Sequence, residues 1–162
     1  MSEQNHTLGD LFADDLVIRE LTARDKKGAV REMIQHVVAQ GVLGEDTARK
    51  AERAVQKREA VGSTGIGKGL AIPHAKDCGF VDRVVGAFAR TVDGIPFDSV
   101  DGGLVHVLFL VLSPKGSAEQ HLGIMRRIAL LHRDERTLRY LAQDPELASL
   151  QAIFKEVDDE FR

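Results

Sequence analysis

The sequence has no tryptophan, a single tyrosine and a single cysteine, Cys78, among its 162 residues. One cysteine cannot form an internal disulfide, and without a CxxC pair the chain has no typical zinc motif. This usage is typical of a reducing compartment, so we expect a cytoplasmic location. With one tyrosine and no tryptophan we also expect no base-stacking surface, and therefore no nucleic-acid partner.

Strong charge and long apolar runs are missing as well. The 22 Lys and Arg residues face 25 Asp and Glu residues, which gives a formal charge of −3, and no tight basic run occurs. This balance gives no indication of nucleic-acid binding. The longest apolar run, residues 107–112, is far too short to span a bilayer, and residues 1–10 lack the apolar segment of a signal peptide. We therefore expect no direct membrane insertion.

What the chain does contain is a mixture of helical and strand patterns. Helices are predicted at about residues 26–40, 46–59, 117–131, 134–142 and 145–158, and strands at 16–18, 70–72, 84–91 and 105–112. The last strand is apolar on both faces, which is typical of a central buried strand. We predict one α/β domain over residues 12–160, with a mixed β-sheet covered by helices on both faces, after a flexible tail of residues 1–11.

The most informative stretch, residues 58–76, reads REAVGSTGIGKGLAIPHAK. Its dense glycines favour a loop whose backbone N–H groups can face an anion. A short strand then leads to His74, whose backbone is restrained by Pro73. An imidazole beside N–H donors would suit a phosphohistidine, with the ring as nucleophile and the amides holding the phosphoryl oxygens. The residues alone leave two other interpretations open, a tight connection and a structural histidine.

Two nucleotide-binding motifs are nearly present in this stretch but incomplete. Gly62, Gly67 and Lys68 have Walker A spacing, yet Gly69 stands where Ser or Thr should follow the lysine. A dinucleotide fingerprint would need glycine at position 70, which is Leu70. The chain also offers no carboxylate cluster for Mg²⁺, and its histidine spacing matches no metal motif. We expect no cofactor and no metal.

The order of loop, strand and Pro-His pair resembles the phosphorylation-site signature of the mannitol/fructose-type enzyme IIA family of the bacterial phosphotransferase system. The matching residues are Thr64-Gly65-Ile66-Gly67 and Gly69-Leu70-Ala71-Ile72-Pro73-His74, preceded by Arg58 and Glu59. The resemblance covers about residues 12 to 155 and is strongest toward the nitrogen-regulatory branch. Two positions depart from the pattern, Lys68 where Asn is usual and Ala75 where Gly is usual.

The resemblance implies a phosphocarrier that accepts a phosphoryl group on His74 and passes it on. It implies that His121, in Gln120-His121-Leu122, is a second active-site histidine that stabilises the phosphoryl group. Ser117 as N-cap, in a capping box with Gln120, would put His121 one turn inside a helix N-terminus, where the dipole disfavours ring protonation. Arg58 is the candidate cation, since guanidinium matches phosphate geometry, and Thr64 is a candidate hydroxyl donor.

Three functions remain open at this point. The first is a regulatory phosphocarrier of the nitrogen type, which would receive phosphate from HPr or a relative and act on a regulatory target. The second is a sugar-specific enzyme IIA that delivers phosphate to a permease's IIB domain. The third is an interaction module without phosphorylation, as in the cytoplasmic domains of anion exchangers. The presence of Pro73-His74 together with His121 favours a phosphocarrier over the third.

Overall fold

The computed structural model describes residues 7–162, in which six α-helices and six β-strands are joined mostly by short connections. In chain order they are α1 (Leu8–Leu11), β1 (Val17–Ile18), α2 (Lys26–Ala39), α3 (Glu45–Val61), β2 (Gly65–Gly67), β3 (Leu70–Ala71), β4 (His74–Cys78), β5 (Val85–Ile95), β6 (Val105–Pro114), α4 (Ala118–His132), α5 (Glu135–Ala142) and α6 (Leu147–Asp159). A 3₁₀ turn, Asp14–Leu16, precedes β1. The predicted α/β class is confirmed.

The six strands form one mixed sheet in the order β1-β5-β6-β3-β2, with β4 also paired to β6. Strand β6 runs antiparallel to β5 and parallel to both β3 and β4. Strands β3 and β4 pair with successive parts of β6, since Leu70 is opposite Val107 and His74 is opposite Val111. Pro73 lies between β3 and β4 and separates the two strands, but both of them pair with β6. His74 is therefore the first residue of a new strand.

Helices cover both faces of this sheet, as predicted. Successive side chains of a strand point to opposite faces, and β6 shows this clearly. Leu108 and Leu110 belong to an apolar cluster with residues of α2 and α3, whereas Phe109 and Val111 belong to a second cluster with α1, α4, α5 and α6. Because both faces of β6 are buried, its sequence is an almost unbroken apolar run.

The N-terminal boundary of the domain differs from the prediction. The predicted flexible tail includes residues 8–11, which instead form α1 with Leu8 and Leu11 buried against the second cluster. The Asp158 carboxylate of α6 accepts hydrogen bonds from the N–H groups of Leu8 and Gly9, at 2.8 and 3.1 Å. The burial of these two leucines and the hydrogen bonds to Asp158 explain why residues 8–11 form a helix packed on the domain. The tail prediction for residues 1–6 lies outside the described residues.

The glycine-rich segment also differs from the predicted loop, because β2 and β3 form an antiparallel hairpin. Its tip contains Lys68 and Gly69, both in the left-handed region at φ 59° and 80°. At Gly65 the reason for glycine is space, since a Cβ there would lie 2.4 Å from Oγ of Ser99. Glycine in this segment therefore permits a tight hairpin and a close loop contact.

Candidate active site

His74 and His121 line the same open cavity, of about 470 Å³, where α3, β4 and α4 meet. Their ring centroids are 5.4 Å apart, with an interplanar angle of 49°. The remaining lining residues are Ala54, Lys57, Arg58, Val61, Ala75 and Lys76. The two histidines selected from the sequence, 47 positions apart in the numbering, are thus neighbours in the fold.

The topology of the sheet explains how the two rings meet. His74 opens β4 opposite Val111, and β6 continues from there to Ser113 and Pro114. The chain then turns directly into α4, which carries His121 in its first turns. The Ser117 hydroxyl donates to the Pro114 carbonyl at 2.6 Å, and the His121 N–H donates to the Ser117 carbonyl at 2.9 Å. The short connection therefore sets His121 beside the strand that holds His74.

Ser117 is the N-cap residue of α4, as predicted, but the predicted capping box is wrong. Its side chain makes no hydrogen bond to the helix and is engaged instead by the Pro114 carbonyl. The reason is local, because the Ser117 backbone, at φ −117° and ψ 32°, departs from the extended conformation that is usual for a capping residue. The hydroxyl closes the strand-to-helix connection instead of capping the helix.

The ring of His74 is held by its own backbone. Its Nδ1 lies 2.7 Å from the carbonyl oxygen of Ile72. A carbonyl oxygen can only accept, so Nδ1 carries a proton and, in the neutral ring, the lone pair lies on Nε2. Burial, with a contribution from the Arg58 charge, lowers the pKa of His74 despite the opposing effects of the Ile72 hydrogen bond and Glu59. A neutral imidazole with a free Nε2 can act as a nucleophile.

His121 is more deeply buried, at 8% exposure, and is held by another side chain. Its Nδ1 lies 2.6 Å from Oγ of Ser113, at the end of β6. Burial first, and then the nearby His74 and Lys76 charges, lower the pKa of His121 to about 4. The ring is therefore neutral at pH 7. Ser113 is not among the residues that the sequence pattern indicates, and its one signal is a serine at the end of an otherwise apolar strand.

Positive charge borders the two rings. Arg58, Lys57 and Lys76 all line the cavity, and Arg58 lies in the last turn of α3. The Arg58 guanidinium donates from Nη1 to the Gly62 carbonyl at 2.8 Å, which orients it at the helix end. An anion entering the cavity would meet these three side chains. Arg58, the cation that the sequence indicates, thus lines the same cavity as the two histidines.

Thr64, the fourth candidate, lies outside the cavity lining and is 4% exposed. Its hydroxyl donates to Oε2 of Glu59, and its N–H donates to Oε1 of Glu59 at 3.2 Å. Its carbonyl accepts from the Ile72 N–H at 3.1 Å. Thr64 thus joins the buried Glu59 carboxylate, which also pairs with Lys26 at 3.2 Å, to the segment just before His74.

The expected cradle of backbone amides in residues 62–69 is not found. The N–H groups of Thr64, Gly65 and Lys68 donate to side chains of the protein itself. No residue of this segment lines the cavity that contains the histidines. The difference arises because side chains of the protein itself, those of Glu59, Ser63 and Asp101, already accept from these three amides. The donors around His74 are side chains from α3, β4 and α4 instead.

The remaining described histidines are engaged elsewhere. His36, His106 and His132 each face a backbone carbonyl, at 2.9, 3.1 and 3.2 Å. Within residues 7–162 no group of three His, Cys, Asp or Glu residues could hold a metal ion. Over the same range no helix combines the length and apolar character needed to cross a membrane.

A family model described as phosphoenolpyruvate-dependent sugar phosphotransferase system, EIIA 2, matches residues 10–157. The chain belongs to this family. Members are phosphotransfer components, so the resemblance drawn from the signature around His74 is confirmed. The match also begins within α1, in agreement with the packing of that helix.

Relatives of two kinds are similar to this EIIA chain. A nitrogen regulatory protein of Bradyrhizobium diazoefficiens is 33% identical over 144 residues, covering 89% of this chain and 92% of the relative. A fructose-specific EIIABC component of Bacillus subtilis is 31% identical over 145 residues, but this chain spans only 22% of its length. A fructose-specific EIIA component of Haloferax volcanii is 35% identical, covering 75% of this chain and 79% of the relative.

Solved structures agree with the fold. Nitrogen regulatory protein IIA-Ntr from Neisseria meningitidis has a TM-score of 0.80 at 25% identity, covering 90% of this chain and 97% of that one. Enzyme IIA-mannitol from Escherichia coli has a TM-score of 0.72 at 16% identity, covering 86% and 96%. At that identity the second likeness concerns the fold alone, and it bears out the mixed sheet with helices on both faces.

Proposed function

We propose that this EIIA chain is a phosphocarrier that accepts a phosphoryl group on Nε2 of His74 from phospho-HPr or a related carrier. The observation that carries the proposal is the 2.7 Å hydrogen bond between Nδ1 of His74 and the Ile72 carbonyl. It leaves Nε2 as the nucleophilic nitrogen of a neutral ring. Membership of a phosphotransfer family and the cations around the cavity support the acceptance of a phosphoryl group at this site.

In the proposed step, the Nε2 lone pair attacks the phosphorus of the donor's phosphohistidine. The new N–P bond forms as the donor's N–P bond breaks, and that electron pair returns to the donor ring. The Nδ1 proton stays on His74, where the Ile72 carbonyl accepts its hydrogen bond and the Glu59 carboxylate favours the developing positive charge. Phosphoryl transfer of this kind depends on positioning and charge stabilisation more than on covalent help.

The other cavity residues stabilise the phosphoryl oxygens in this proposal. Negative charge spreads over the peripheral oxygens in the transition state, so fixed donors beside them lower the barrier. His121 is a neutral donor about 5.4 Å from His74 between ring centroids, and Arg58 and Lys76 supply positive charge. Thr64 supports the His74 segment through Glu59, because its hydroxyl is already engaged there.

We further propose that the chain belongs to the regulatory rather than the sugar-specific branch. The support is the stretch Gly62-Ser63-Thr64-Gly65-Ile66-Gly67, which most resembles the nitrogen-regulatory branch, together with the nitrogen regulatory relatives found in sequence and in structure. The alternative is delivery of phosphate to a IIB domain. Addition of fructose-type and mannitol-type IIB domains to the phosphorylated chain distinguishes the two. Retention of the label supports a regulatory target, and rapid loss to a IIB domain supports the sugar branch.

Incubation with phosphorylated HPr, followed by mass measurement and localisation of the label, tests the phosphocarrier proposal. We expect one phosphoryl group per chain, on His74, with the acid lability and alkali stability of a phosphoramidate. Transfer from the already phosphorylated donor should proceed in excess EDTA, since the proposed step uses no metal. The absence of any mass shift, with an active donor, would favour the non-phosphorylated interaction module.

A further inference from the structure

We propose that Ser113 is a positioning residue whose hydroxyl donates to Nδ1 of His121 and so holds the ring proton on Nε2, the nitrogen left for the cavity. This inference rests on the proposed function, because a fixed donor matters only if a phosphoryl group arrives. The structural observation is the 2.6 Å contact between Oγ of Ser113 and Nδ1 of His121. The remaining question is which of these two atoms carries the shared proton.

The burial of Ser113 decides the direction of that hydrogen bond. The residue is 1% exposed, and within residues 7–162 Nδ1 of His121 is the hydrogen-bond partner of its hydroxyl. If Nδ1 were the donor, the hydroxyl hydrogen would be buried without an acceptor, and proteins rarely leave buried polar groups unpaired. If the hydroxyl donates, every proton in the pair has an acceptor or faces the cavity.

The protonation state of His121 is consistent with this direction. The pKa of His121 is lowered to about 4, mainly by burial, so near neutral pH the ring holds one proton. With Nδ1 accepting from Ser113, that single proton must be on Nε2. Lys76 and His74 face the ring from β4, and both oppose a second proton.

The result is a pair of imidazoles in complementary states. His74 has its proton on Nδ1 and its lone pair on Nε2, whereas His121 has its lone pair on Nδ1 and its proton on Nε2. One ring can attack phosphorus while the other donates to a phosphoryl oxygen. The opposite tautomer of His121 would present a lone pair to an anionic oxygen, which is repulsive. Ser113 therefore determines whether His121 helps or hinders the transfer.

The surrounding backbone holds Ser113 and His121 close to each other. Ser113 lies in β6 immediately before Pro114, which pairs with Cys78 of β4. The hydroxyl of Ser117 closes the turn onto Pro114, and the N–H of His121 bonds the Ser117 carbonyl. The strand end and the first turn of α4 are therefore tied together. The Ser113 hydroxyl can therefore reach the His121 ring without a shift of β6 or α4.

The direct test is the tautomer of His121 by ¹⁵N NMR of the imidazole nitrogens, in the unphosphorylated protein near neutral pH. The His121→Gln spectrum identifies the resonances. In the parent protein we expect Nε2 to be protonated and Nδ1 unprotonated. In Ser113→Ala we expect a mixture of both tautomers, and in Ser113→Thr the parent state. A protonated Nδ1 in the parent protein, or an unchanged tautomer in Ser113→Ala, overturns the inference.

The transfer rate from phosphorylated HPr gives the second measurement. We expect Ser113→Ala to be about tenfold slower than the parent, the loss expected for one weakened hydrogen bond, and Ser113→Thr to recover most of the rate. The matched control is Ser99→Ala, which removes a buried hydroxyl without a hydrogen-bond partner in residues 7–162 and should leave rate and tautomer unchanged. A parent protein that accepts no phosphate refutes the proposed function, and the tautomer measurement still decides the role of Ser113.

Discussion

His74 and His121 share one cavity but are held by different kinds of atom. The ring of His74 bonds the carbonyl of Ile72, two residues earlier in the same chain segment. The ring of His121 bonds the Ser113 side chain, which belongs to a different element. A backbone carbonyl is present whatever the sequence, whereas a side-chain hydroxyl can be removed by one substitution. The ring of His74, the proposed nucleophile, is therefore held by the backbone of the fold, whereas the ring of His121 depends on one particular side chain.

The largest effect should follow from removing His74, the proposed nucleophile. We expect His74→Gln to abolish phosphorylation by phospho-HPr, because the amide has no nitrogen lone pair that can attack phosphorus. His36→Gln is the matched control, since that ring bonds the Asp15 carbonyl away from the cavity. Mass spectrometry of both variants after incubation with the donor measures the effect. Phosphate accepted by His74→Gln at the parent rate would refute the assignment.

The next largest effect concerns residues that speed the transfer but do not themselves accept the phosphoryl group. We expect His121→Ala and Arg58→Ala each to slow transfer on the order of 10²-fold, the typical loss for one transition-state donor. Both variants should still be labelled on His74, and both should keep the fold, since neither residue belongs to the two apolar clusters. Single-turnover transfer rates and thermal unfolding are the two measurements. A loss of stability without a loss of rate would return His121 to a purely structural role.

Thr64 should behave differently from the residues of the cavity. We expect Thr64→Val to lower the free energy of unfolding by about 2 kcal/mol, because the buried Glu59 carboxylate loses a hydrogen-bond donor. Thr64→Ser keeps the hydroxyl and should keep most of the stability. Chemical denaturation of both variants measures the difference. If Thr64→Val slowed transfer as much as His121→Ala while remaining fully stable, the hydroxyl would act on the phosphoryl group instead.

The depressed pKa of His121 predicts how stability depends on pH. Between the ordinary pKa of 6.5 and the folded value of about 4, the unfolded chain binds a proton on His121 that the folded chain does not. The free energy of unfolding should therefore fall as pH falls from 6.5 to about 4. Above pH 6.5 His121 is neutral in both the folded and the unfolded chain, and none of this stability is lost. One pKa unit is about 1.36 kcal/mol, and partial solvent access reduces the full effect, so we expect a change on the order of 1 to 2 kcal/mol.

Denaturant unfolding at several pH values, for the parent and for His121→Gln, measures this contribution. The variant should lose less stability than the parent between pH 6.5 and 4. Parallel curves for the two proteins would contradict the assignment of the low pKa to His121.

The smallest effect concerns the hairpin tip, away from both rings. Lys68 has φ 59°, a conformation that asparagine tolerates better than lysine. We expect Lys68→Asn to raise the free energy of unfolding by about 0.5 kcal/mol, offset in part by the lost contact between Nζ and the His132 carbonyl. The transfer rate should be unchanged. Thermal unfolding checks the first expectation, and a slower transfer would connect the hairpin tip to the chemistry.

Much of the fold could be predicted from the sequence because the main elements have strong patterns. The apolar residues of α2 recur at helical spacing, at Val30, Met33, Ile34 and Val37, and β6 is an apolar run, so each element has one reasonable interpretation. The hairpin of β2 and β3 could not be predicted, since dense glycine fits a loop and a tight turn equally well. The continuation of β5 through Asp93-Gly94 could not be predicted for a similar reason, because this pair is also a typical turn sequence.

The candidate site could be predicted only in part. His74, His121 and Arg58 follow from a residue pattern that resembles the family's, and the fold brings all three to one cavity. The partner of His121 could not be predicted, because Ser113 is eight residues away on another element and sequence patterns do not show which side chains meet. The predicted amide cradle is wrong, since the N–H groups of Thr64, Gly65 and Lys68 are bonded to side chains of the protein.

We infer above all that the fold leaves Nε2 of His74 as the phosphoryl acceptor. The most direct measurement is ¹⁵N NMR of the imidazole nitrogens of the chain after phosphorylation by phospho-HPr, with ³¹P coupling to identify the bonded nitrogen. We expect coupling to Nε2 of His74, with Nδ1 still protonated and donating to the Ile72 carbonyl. Coupling to Nδ1 of His74, or to either nitrogen of His121, would contradict it.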